Sequence, residues 1–126
     1  MDKEFVPYEQ SLALEKIGFD EECLGNFADD EKHTLFTNGN RPGKIDAPTF
    51  SQAFRWFRET YNIDAWVQPF VAQSKKNIPY LPDESYGYFI FKDGVFVCDK
   101  VDLLGPEEAE LACLIELIKI AKENKQ

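Results

Sequence analysis

Hydrophobic positions along the chain change period several times, and each change marks an element. Tyr8, Leu12, Ala13 and Ile17 recur at helical spacing, with Leu14 widening the stripe. Pro7 suits a first helical position and Gly18 a position just past the end, so the pattern predicts a helix from about Pro7 to Ile17. Phe19 is placed to fold back on its last turn. Cys23 to Ala28 and Thr34 to Thr37 read as two short strands joined through Asp29-Asp30-Glu31, and Asn38 to Gly43 as a loop. Phe50, Ala53, Phe54, Phe57 and Tyr61 then form a second helical stripe, with Asp46 as N-cap, Pro48 in the first turn and Asn62 as the stop.

Beyond Asn62 the period becomes that of strands. Ala65 to Ala72 predicts one strand, which Pro69 confines to an edge or a bulge. The polar, Pro-containing stretch Gln73 to Glu84 predicts a long loop. Tyr86 to Lys92 and Val95 to Lys100 flank Asp93-Gly94, a dipeptide that favours the left-handed turn of a two-residue hairpin. That turn sets Lys92 opposite Val95, Phe91 opposite Phe96, Ile90 opposite Val97 and Phe89 opposite Cys98. Plain alternation places Phe89, Phe91, Phe96 and Cys98 on a core face, and Tyr86, Tyr88, Ile90, Val95 and Val97 on a second apolar face that something must cover. A last helix begins at Pro106, with Glu107 and Glu108 at its positive end and Lys119, Lys122 and Lys125 towards the other. Its apolar arc, from Leu111 to Ile120, is wide enough to pack on more than one side or to meet another subunit.

The expected fold is α+β: one domain spanning residues 1–126, an antiparallel sheet of about three to five strands and about three helices, in the order α-(ββ)-α-β-β-β-α. From Phe50 onward the order α-β-β-β-α is similar to that of double-stranded-RNA-binding domains. Glu107 and Glu108 stand where such a domain carries a basic stretch.

Composition limits the function. The chain has 126 residues, 44% hydrophobic, with a formal net charge of −9. Residues 1–32 hold ten acidic and three basic side chains, so most of the excess is concentrated in the first quarter. Direct binding to nucleic acid is not expected of such a chain. The longest apolar run, Ala109 to Ala121, is broken by charges and too short to span a bilayer, and the first residues lack a signal-peptide plan. The expected location is cytoplasmic, in a bacterial cell or a phage-infected host. Cys23, Cys98 and Cys113 are odd in number and lack a CxxC spacing; they read as buried small hydrophobes, not as a disulfide or zinc framework.

Candidate chemistry is sparse. His33 is the one histidine, with no companion that sequence alone can place beside it. Asp20-Glu21-Glu22 and Asp29-Asp30-Glu31 lack the alternate spacing of a calcium loop, and Asn38 to Lys44 lacks the spacing of a phosphate loop. No catalytic residue, cofactor or metal is expected. Arg55, Trp56 and Arg58 flank the second helix's aromatic stripe. Their arginines either lay their stems along the core edge or meet a partner.

Three segments together carry a resemblance: Phe5-Val6-Pro7-Tyr8-Glu9-Gln10 running on to Leu12-Ala13-Leu14 and Gly18-Phe19-Asp20-Glu21; Gln52-Ala53-Phe54-Arg55-Trp56-Phe57-Arg58; and Glu107-Glu108-Ala109-Glu110-Leu111-Ala112-Cys113-Leu114. They resemble a family of small uncharacterised proteins from gut Bacteroidetes genomes and their phages and mobile elements. The resemblance implies a mobile-element origin and supplies no activity or site residue. The expected function is a non-enzymatic protein-binding or regulatory module, acting on a protein partner or on a second copy. Its candidate partner-binding residues are Tyr86, Tyr88, Ile90, Val95, Val97, Arg55, Trp56 and Arg58. Two other readings stand beside it. The acidic first quarter could imitate nucleic acid and occupy a DNA-binding protein. Alternatively, a pocket joining His33, Cys23 or the Tyr86–Tyr88 face could make a small ligand-binding domain or an enzyme.

Overall fold

Gly18 ends the first helix by entering a left-handed conformation (φ 107°), which lets the Phe19 amide donate to the Leu14 carbonyl at 3.0 Å. The computed structural model describes residues 4–28, 34–37, 45–70, 85–103 and 105–124. Its element order is α1 (Tyr8–Lys16), β1 (Gly25–Phe27), β2 (Leu35–Phe36), β3 (Ile45–Ala47), α2 (Phe50–Tyr61), β4 (Ile63–Phe70), β5 (Ser85–Lys92), β6 (Val95–Leu103) and α3 (Pro106–Asn124). The fold is α+β. Its strands form two small antiparallel three-stranded sheets rather than one. Two compact units divide the chain, residues 1–56 with 118–126 and residues 57–117.

In the first unit β1 is the central strand, with β2 and β3 on either side. Asp46, expected as a helix cap, pairs instead with Asn26 inside β3. The cap falls to Thr49, whose Oγ1 accepts the Gln52 amide at 3.2 Å, and Pro48 ends up outside the helix that starts at Phe50. Strand β3 escapes a sequence reading because three residues following a turn-rich stretch show no period. The Val6 amide donates to the Pro48 carbonyl at 2.8 Å, and the buried Ser11 hydroxyl donates to the Val6 carbonyl at 3.0 Å. Phe19 and Trp56 meet edge to face, ring centres 5.3 Å apart, and both are buried.

In the second unit β5 is central, with β4 and β6 at the edges. Pro69 lies in edge strand β4, as its missing donor requires. Asp93 and Gly94 both take positive φ (53° and 81°), the left-handed turn expected of that dipeptide. Near the turn Lys92 pairs with Val95 and Phe91 with Phe96; then Val97 bulges out, so that Ile90 meets Cys98 and Phe89 meets Asp99.

That one-residue bulge changes the face that Cys98 joins, and the covered face is not the expected one. Cys98 moves to the side of Tyr88 and Ile90, and this side is the core: Ile90 is fully buried and Tyr88 is 6% exposed. Cys113 and Glu116 of α3 lie close enough to Tyr88 to act on its ionisation. The face expected to be core, with Phe89, Phe91 and Phe96, is the open one. The wide apolar arc of α3 is largely buried: Cys113, Leu114, Leu117 and Ile118 are buried, and of its described large apolar residues only Ile115 is exposed.

Candidate functional site

Because facing residues of paired strands share a side, the register gives the open face its membership. Asp64 faces Phe91 and Trp66 faces Phe89 across β4 and β5; Phe91 faces Phe96 and Phe89 faces Asp99 across β5 and β6. Trp66 stacks on Phe91 with centres 5.3 Å apart and an interplanar angle of 6°, and on Phe89 at 5.8 Å and 30°. Phe96 closes edge to face on Phe91 at 5.6 Å. The four rings form one continuous aromatic surface, with Trp66 42% and Phe96 52% exposed. Val95 and Val97 are also exposed, so four of the six exposed large apolar residues among those described belong to this sheet.

Polar groups border the rings. The indole Nε1 of Trp66 donates to Gln68 Oε1 at 3.1 Å, which fixes the indole against its neighbour two residues along the strand. Among the described residues both ring contacts of Trp66 are with β5, and β4 is the edge of its sheet, so no described strand flanks the other side of the indole. Arg58, Asp64, Ala65, Trp66, Phe91 and Gly94 line an open depression of about 420 Å³. Arg58 reaches it from α2, where it is exposed.

The sequence-derived partner residues divide in two. Tyr88, Ile90 and Trp56 are buried and Tyr86 is half-buried, so they form no exposed surface. The physical reason is the packing of α3, whose Cys113 and Glu116 lie near Tyr88, for the first two and the Phe19 ring for Trp56. Arg55, Arg58, Val95 and Val97 are exposed. Arg55 is held at 3.5 Å by Glu21, a carboxylate that also accepts from Gln52 at 3.2 Å. Sequence reasoning passed over Trp66, Phe89, Phe91 and Phe96 as a surface. Trp66 with Phe89 and Phe91 at alternate positions was the available signal, but period alone does not tell a covered face from an open one.

Candidate chemistry elsewhere is thin. Cys23 is buried, its thiol donating to the Glu21 carbonyl at 3.4 Å. Burial, followed by the charges of Cys98, Glu116 and Glu110, drives the Cys113 thiol far above its ordinary range, which makes it inert rather than nucleophilic. Burial first, then Cys98 and Glu116, pushes the Tyr88 phenol up to about 12. No group of three metal-ligating side chains occurs among the described residues, nor any helix long and apolar enough to cross a membrane. His33, the 29–31 cluster, the 38–44 loop and the 73–84 loop lie outside the described residues.

Compared with protein-family models, curated proteins and solved structures, the chain finds no significant match.

Proposed function

We propose that the chain is a non-enzymatic protein-binding module whose working surface is the open aromatic face of the β4–β5–β6 sheet. The observation that supports this reading is the exposure of Trp66 and Phe96 in a continuous run of four rings. Leaving large aromatic surface in water is unfavourable by about 25 cal/mol per Å². Aromatic residues, tryptophan above all, are enriched where proteins bind one another. The face replaces the two surfaces suggested by the sequence, the Tyr88–Ile90 side and the arc of α3, because both are largely buried within the chain.

The test is capture from the cytoplasm of the source organism with quantitative mass spectrometry. Bait is either the wild-type chain or the Trp66→Ala/Phe96→Ser variant, checked for native circular dichroism. Both substituted side chains are partly exposed, so the variant is expected to fold. The reading expects a defined protein enriched on wild type and lost on the variant. Equal capture by both baits, or none by either, overturns it. Light scattering on the wild-type chain, repeated on the variant, shows whether the partner is a second copy.

A further inference from the structure

We infer that the segment bound on this face presents arginine or lysine side chains to it; the inference rests on the reading of the face as a protein-binding surface. The register separates charge by sign. Asp64 and Asp99 face Phe91 and Phe89 and therefore stand on the aromatic side. Lys92 and Lys100 face Ile63 and Tyr88 and therefore stand on the other. Both carboxylates are exposed, and among the described residues neither is held in an ion pair. The open face thus offers ring quadrupoles, negative on their faces, next to two exposed carboxylates.

Such a surface suits a cation with an apolar stem. The methylenes of an arginine or lysine can lie on the rings, its charge can rest over a ring face, and the carboxylates can accept its N–H groups. The side of the indole turned away from β5, next to Asp64 and Gln68 on the same side of β4, is the natural place for a guanidinium. An aliphatic partner would instead strip water from Asp64 and Asp99 without compensation. A second copy is disfavoured on the same ground, since each chain carries a net charge of −9. Arg58, at the rim of the depression, is the opposing charge at this site.

Short peptides of one Gly-Ser host sequence, carrying arginine, lysine, leucine or glutamate at the guest positions, are titrated into the full ¹⁵N-labelled chain. The Trp66 indole N–H, assigned through Trp66→Phe, reports binding. Arginine and lysine peptides are expected to shift it saturably, more weakly as salt rises. The Asp64→Asn/Asp99→Asn variant is expected to weaken the arginine peptide about fivefold, and Arg58→Gln to strengthen it about twofold. Three results would overturn the inference: equal affinity for the leucine and arginine peptides, preference for glutamate, or an arginine affinity untouched by loss of the carboxylates. Saturable leucine binding that arginine does not exceed sinks cation recognition but leaves the binding face intact. Failure of the face itself is read separately, from the capture experiment.

Discussion

Asn62 and Asp93 stand 31 positions apart, both in the left-handed backbone conformation, and bond each other twice. The Asn62 side-chain amide donates to Asp93 Oδ1 at 2.9 Å, and the Asp93 amide donates to the Asn62 carbonyl at 3.0 Å. The residue that stops α2 is thereby tied to the turn that joins β5 and β6. Asn62→Gly keeps the backbone conformation and loses the side-chain bond, at an expected cost of about 0.5–1 kcal/mol. Asn62→Ala adds the strain of a positive φ and is expected to cost about 2 kcal/mol in all. A double-mutant cycle of Asn62→Gly with Asp93→Gly, read by urea unfolding, measures the side-chain coupling. A coupling of zero would show that the backbone bond alone ties the two.

The bulge predicts unequal tolerance of length changes. Deleting Val97 leaves Phe91 opposite Phe96, Ile90 opposite Cys98 and Phe89 opposite Asp99, so every described pairing around it survives. That deletion is expected to give a folded chain with only a modest fall in Tm. One alanine inserted after Phe89 in the central strand shifts its alignment with both edge strands, and the chain is expected to lose its cooperative transition. Thermal unfolding followed by circular dichroism compares the two.

Much of the fold was legible for a local reason. Gly18, Asp93-Gly94 and Pro106 each act on the one or two bonds beside them, and each stands where a turn or helix end was predicted. Pro69 marked its edge strand in the same way. What stayed hidden depends on partners far away in the chain. Alternation through β6 is correct up to Phe96 and fails at Val97, because no residue type there announces a bulge. Both faces of the hairpin are apolar, so the choice of the covered one fell to α3, whose Cys113 and Glu116 lie near Tyr88. The open aromatic face is not legible for that one reason: plain alternation assigns its rings to the core.

Tyr88 makes stability depend on alkaline pH. Its pKa rises from 10.0 when unfolded to about 12 when folded, chiefly through burial. Above the lower value the unfolded chain releases a proton that the folded chain keeps. Stability from this group is therefore fully present below the unfolded value and is lost as pH climbs through the folded one. Cys113 is shifted in the same direction. Tm is expected to drop steeply across that interval, and less steeply in Tyr88→Phe. Absorbance of tyrosinate should show one phenol ionising only as the chain unfolds.

Gly25 is kept small by its neighbours. A Cβ there would lie 2.7 Å from Phe5 Cε1 and 3.0 Å from the Ala47 carbonyl oxygen. The ring can swing but the carbonyl belongs to the β1–β3 ladder. Gly25→Ala is expected to cost about 1–3 kcal/mol, and pairing it with Phe5→Ala should leave the carbonyl clash in place. Full recovery of urea stability relative to Phe5→Ala would place the whole conflict on the ring.

Residues 118–126 belong with residues 1–56, although the whole of 57–117 is made between them. A ribosome thus finishes the second unit before it releases the last piece of the first. During synthesis the early residues must wait, with Val6, Leu14 and Phe19 still short of part of their own unit, until residues 118–126 have been added. The order of manufacture therefore runs against the order of the sequence: the unit that begins first is the last to be complete.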